Sequence, residues 1–172
     1  MNTLTMNHVG AEFRTARTAP MPVVQNDFTP QPLTLEQAIQ AAVDAIADEA
    51  LKPLSDDSSQ PFAQARALLA LMAGCYARQI YSSAAVADQA AHAPDFPWLW
   101  WEALPDAAAL RRFRAENRAP LQRCLVAALR FQAEQRIFAG VLTRVNRPQL
   151  AEEAGRRIVM AAFADSMELG RA

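Results

Sequence analysis

This sequence predicts an all-α fold, a bundle of about six helices behind a disordered N-terminal arm, and three observations predict it. Apolar residues recur at three- and four-residue spacing from Thr34 onward. Helix-start residues (Thr34, Ser82 or Ser83, Asp106, Asn146) alternate with stop signals (Pro53, Pro94, Gly140, Gly170). No run of alternating β-branched residues of the kind that marks a strand is present.

Residues 1–32 show no period, mix Thr and Asn, and end with Pro20, Pro22, Pro30 and Pro32, which reads as the disordered arm. Thr34 and Gln37 form a capping box, and Leu35, Ile39, Val43 and Ile46 carry an amphipathic helix to about Leu51 before Pro53 stops it. A polar linker, residues 55–60, precedes Pro61, whose missing N–H suits a helix first turn. From Phe62 to about Ile80 the chain is apolar nearly all round, which predicts a central, buried helix. Gly74 within it costs about 1 kcal/mol relative to alanine, so a close crossing by another helix is expected there. Ser82 or Ser83 caps a short helix to about Ala91. Asp106 caps another, Ala107 to Glu116, with Leu110 and Phe113 inward and Arg111, Arg112 and Arg114 outward. A long helix from Pro120 to Phe138 turns Leu121, Cys124, Leu125, Ala128, Leu129 and Phe131 to the core, and the last runs from Asn146 and Pro148 to about Leu169. The domain boundaries that follow are an arm at 1–32, a helical domain at 33–140, and a C-terminal helix at 141–172 packed on that domain.

Composition narrows the function classes. No stretch of about 18 apolar residues and no signal-peptide pattern occurs, so a cytoplasmic chain without a membrane role is expected. Cys75 and Cys124 fall on apolar helical faces and read as buried thiols. Only two histidines are present, His8 and His92, with no ligand at useful spacing, so neither a metal nor another cofactor is expected. Glu152, Glu153, Asp165 and Glu168 on the last helix read as its solvated side rather than as acid–base or Mg²⁺ groups. The net charge of −1 conceals an asymmetry: residues 111–147 carry nine arginines against Glu116 and Glu134. Arg111, Arg112, Arg114, Arg118 and Arg123 make a stripe that either sits on phosphates or only solvates alanine-rich helices, and charge alone does not separate the two.

All three tryptophans lie at 98–101 between Pro94 and Pro105. Rings so placed predict a core plug, with Trp98 and Leu99 joining Leu110 and Phe113 as structural residues. This segment also carries a motif series: Tyr81-Ser82-Ser83, then Phe96-Pro97-Trp98-Leu99, then Pro105-Asp106 and Phe113-Arg114 with Asn117 three residues on. In order and spacing, over about residues 62–130, it resembles the N-terminal helical domain of bacterial insertion-sequence transposases, whose catalytic half is RNase H-like. Two positions depart from that pattern, Ala84 replacing an arginine and Asp88 a basic residue. The resemblance implies a DNA-binding surface using Ser82, Ser83, Arg111, Arg112, Arg114, Arg118 and Arg123. It also implies partners such as duplex DNA, a second copy as homodimer, or a separate catalytic transposase chain. The 58 residues after Arg114 read as two helices, which leaves no place for an acidic triad. The expectation is a non-catalytic DNA-binding or dimerisation module from a truncated or repurposed mobile element involved in DNA recombination. The alternative is a helical protein-interaction or assembly module with no nucleic-acid role.

Overall fold

A computed structural model describes residues 34–55, 59–92, 104–142 and 144–170. The predicted arm, Trp98 and Leu99 lie outside them. The described residues form six α-helices and no strand: α1 (Leu35–Asp44), α2 (Pro61–Ala77), α3 (Ser83–His92), α4 (Ala107–Glu116), α5 (Arg118–Phe138) and α6 (Arg147–Leu169), with a single 3₁₀ turn at Asp48–Ala50.

The hydrophobic α2 is the axis of the fold. Ala65 and every residue from Ala67 to Ala77 are buried, and Leu68, Leu69, Leu71, Met72 and Tyr76 have no exposed surface. Full burial of each leucine stabilises the fold by about 1.5–3 kcal/mol. Around α2 pack α1, α5 and α3, while α6 lies chiefly along α5 and α4 chiefly against α3. From α1 come Ile39 and Val43, from α4 Leu110 and Phe113, and from α5 Leu121, Cys124, Leu125 and Ala128. Leu110 and Phe113 are thus core residues, as expected. Phe131 is not: it is half-buried at a cleft. A Cβ on Gly74 would stand 3.2 Å from Arg78 Nη1 and 3.7 Å from Ile39 Cδ1 of α1, so the helix facing the glycine is α1 and the tighter contact is with the Arg78 side chain.

Side chains terminate most helices. Thr34 and Gln37 form the expected box on α1, Asp106 Oδ1 accepts from Ala109 N–H at 2.7 Å, and Asn146 caps α6. The N-cap of α3 is Ser82, whose hydroxyl accepts from Ala85 N–H at 3.2 Å. The end of α1 falls earlier than expected, at Asp44 rather than about Leu51. Arg66 from α2 donates to the carbonyls of Val43 and Ile46, both at 2.7 Å, and binds Asp48 at 2.8 Å. Those carbonyls turn to a tertiary donor, so the chain leaves the helix and buries Ile46 and Leu51 by another route.

At the other end of α2, Ile80 N–H reaches Cys75 O at 2.9 Å and Gln79 N–H reaches Tyr76 O at 3.2 Å, a Schellman closure. It places Gln79 at φ 66°, a left-handed conformation usually given to glycine. Arg157 of α6 adds a second donor to Tyr76 O at 2.9 Å and donates to Ala77 O at 3.0 Å, and Gln132 of α5 donates to Ala77 O at 3.1 Å.

Candidate functional site

Three of the four buried polar residues described, Ser83, Arg114 and Asp165, converge at one point, the junction of α2, α3, α4 and α6. Asp165 projects from α6 and is 3% exposed. Its Oδ1 accepts the Ser83 N–H at 2.6 Å, and its Oδ2 accepts the Ser83 hydroxyl at 2.7 Å and the Arg114 guanidinium at 2.5 Å. Arg114, 6% exposed, also donates to the Tyr76 hydroxyl at 3.1 Å and to Ser83 Oγ at 3.4 Å. One buried carboxylate therefore joins α3 and α4 to α6, and Arg114 carries the network on to α2.

Local structure explains each placement. Leu110, Phe113, Arg114 and Asn117 follow one another at three- and four-residue spacing, so Arg114 lies on the inward stripe of α4. Ala154, Ile158, Ala161 and Asp165 do the same on α6. Ser83 is the first residue of α3, where a backbone N–H has no intrahelical acceptor, so the Asp165 carboxylate caps the helix from outside and meets its positive dipole end.

The electrostatics fit a closed structural network. Burial pushes the Tyr76 hydroxyl up to about 12, with the Arg114 charge opposing it, so Tyr76 is neutral at physiological pH. Burial pulls the Arg114 pKa down, but its bonds with Tyr76 and Asp165 leave it above the ordinary value, so its charge persists. Nearby, Asn117 is fully buried and reads both backbone groups of Lys52, accepting its N–H at 2.8 Å and donating to its carbonyl at 2.9 Å.

The set of DNA contacts expected from the sequence is divided by this arrangement. Arg114 does not face out, and Ser83 is fully buried; both are engaged inside the protein. Ser82 is half-buried and occupied as a cap. Arg112 is exposed and donates to Leu54 O at 3.2 Å. Arg118 and Arg123 are exposed and Arg111 half-exposed, with no carboxylate within ion-pair distance of them among the described residues. On α6, Asp165 is not solvated as expected, whereas Glu153 is engaged by Arg157 at 2.8 Å. Cys75 and Cys124 are buried and free, and burial pushes their thiols up to about 11 and about 12. Among the described residues no group of three His, Cys, Asp or Glu side chains is placed to hold a metal ion, and no helix is long and apolar enough to cross a membrane.

Two surface features were not anticipated from the sequence. A cleft of about 730 Å³ lies between α5 and α6, lined by Leu129, Phe131, Leu142, Leu150, Gln132 and Arg157. Its Gln132 and Arg157 are already committed to the carbonyls that end α2. The second feature is the outer face of α6. Val159, Met160, Phe163 and Met167 are 55%, 44%, 65% and 46% exposed. They lie opposite the buried Ala154–Asp165 stripe, so this helix is apolar on both sides. The signal was present in the spacing of 159, 160, 163 and 167, which repeats at three and four residues.

No family model, no curated protein and no solved structure matches this chain.

Removing one partner of a buried ion pair leaves the other charge uncompensated, at a cost of about 3–5 kcal/mol. Asp165→Ala is therefore expected to lose about that much stability in urea unfolding. Arg114→Met combined with Asp165→Leu should regain at least half of the loss. A cost below about 1 kcal/mol for Asp165→Ala would mean that the carboxylate is solvated and the network is not structural.

Proposed function

We propose that this chain is a non-catalytic helical interaction module working in the cytoplasm, with the outer face of α6 as its contact surface. The observation that carries this reading is the set of four large apolar side chains, Val159, Met160, Phe163 and Met167, exposed along one helix face. Isolated exposed apolar residues are ordinary, but a contiguous patch of several hundred Å² marks a contact site. The motif order that resembles transposase N-terminal domains supports an origin as a truncated or repurposed mobile-element module. In this reading the polar members of that motif serve the interior: Ser83 and Arg114 meet Asp165, and Asn117 holds Lys52.

The test is to place a photo-crosslinking phenylalanine analogue at position 163 of the full chain, in cells that make the protein naturally, with the same analogue at Arg130 as control. Capture of a protein, this chain included, at position 163 and not at 130 is expected. Absence of any adduct at 163 would overturn the reading.

A second reading, weak duplex DNA binding, is favoured by Arg111, Arg118 and Arg123, which stand without acidic partners among the described residues. Each phosphate contact contributes about 0.9 to the slope of log K against log salt, so three cations set a ceiling near three. Arg118→Ala with Arg123→Ala should then flatten the slope of a labelled-duplex titration by roughly two units. No binding by the wild-type chain at about 50 mM salt would remove DNA from the account.

A further inference from the structure

Resting on the reading of α6 as a contact surface, we propose that its occupant is a second copy of this chain, with the two α6 helices antiparallel about a two-fold axis at Phe163.

The outer face of α6 is nearly a palindrome. Val159 and Met167 stand four residues to either side of Phe163, and Met160 and Ser166 three residues to either side. An antiparallel pairing sets Phe163 on its own image and Val159 against Met167. Met160 then faces Ser166. An isologous interface requires such self-complementarity, because each contact occurs twice. Knob-like side chains at three- and four-residue spacing also suit shallow helix–helix packing.

The charges on the same face choose between the two orientations. Glu152 and Arg156 continue the stripe toward the N-terminal end of α6. In a parallel pair each would meet its own image, like on like. In the antiparallel pair Arg156 lies seven residues from the axis, so the two arginines separate by about 21 Å along it at 1.5 Å per residue. Beyond a screening length of about 8–10 Å that repulsion is small. The apolar stretch from Val159 to Met167 holds no charged residue on its outer side, so nothing there opposes close approach.

The area is sufficient for a specific contact. The four side chains offer on the order of 400 Å² of apolar surface at their observed exposures. One side of a standard interface covers about 800 Å², of which about 56% is apolar. The stripe therefore supplies close to the apolar core of one half-interface, with Gly155, Ala162, Ser166 and the Arg156 stem at its edges. Phe163 sits at the centre, where energetically dominant residues cluster.

The test uses the full chain in sedimentation velocity and in cysteine cross-linking. Cys75 and Cys124 are buried and do not compete with an introduced thiol. The wild-type chain is expected to be a dimer at micromolar concentration, and Phe163→Glu to weaken association at least tenfold with unchanged helical circular dichroism, since Phe163 lies outside the core. Met167→Glu gives the same reading should Phe163→Glu fold poorly. Under mild oxidation Phe163→Cys should form a covalent dimer. Val159→Cys and Met167→Cys should each form little alone and a heterodimer when mixed. A wild-type chain that stays monomeric to about 100 μM overturns the proposal, as does cross-linking of Val159→Cys to itself in preference to Met167→Cys. Should position 163 capture only a different protein in cells while the purified chain stays monomeric, the self-pairing is wrong and the interaction-module reading stands.

Discussion

The Asp165 carboxylate is the constraint on which the arrangement of α3, α4 and α6 around α2 depends. It is the shared acceptor for the first amide of α3, the hydroxyl of Ser83 and the guanidinium of α4, while Tyr76 of α2 takes the remaining reach of that guanidinium. Withdrawing two charges from water is expensive, and the pair is tolerable only because the surrounding hydrogen bonds are nearly complete. Such a network contributes less to net stability than to uniqueness. Sliding α6 along its axis by one turn, about 5.4 Å, would strand a buried cation and a buried anion together, so the register of α6 is specified. Arg157, two turns before Asp165 on the same helix, fixes the register a second time by ending α2.

That specification determines what the molecule displays. With Ala154, Ile158, Ala161 and Asp165 committed inward, the helix periodicity leaves Val159, Met160, Phe163 and Met167 pointing away from everything else described. The polar network does not itself touch the outer surface; it decides which residues reach it. The exposed face of α6 and the buried pair are thus two consequences of one helical phase, which gives the interior network its functional relevance under the interaction-module reading.

The helices were legible in the sequence because their determinants are local. The Thr34 box, the Asp106 and Asn146 caps, the apolar run of α2 and the Gly140 stop act over three or four residues, and each was read at its place. The end of α1 was not, since Arg66 draws its last carbonyls from twenty or so residues away. Arg114 and Asp165 were misplaced for a related reason. Their positions fall on the inward stripes, but charged residues are almost never fully buried unless paired, and the pairing spans 51 residues. Strict periodicity would have placed both correctly where the usual preference for exposure did not. The resemblance read in the Tyr81–Asn117 motifs gains a physical content as well: Ser83, Arg114 and Asn117 are residues that hold helices together, so their spacing reports packing.

The most direct measurement is amide hydrogen exchange at Ser83. An amide in the first turn of a helix has no intrahelical acceptor and exchanges quickly unless another group holds it. The Ser83 amide is expected to exchange as slowly as those of Leu69 and Met72 in the core of α2, and Asp165→Ala to return it to the fast rate of an unprotected first turn. Fast exchange at Ser83 in the wild-type chain, with α2 still protected, would show that α6 is not held by this carboxylate and would contradict the account.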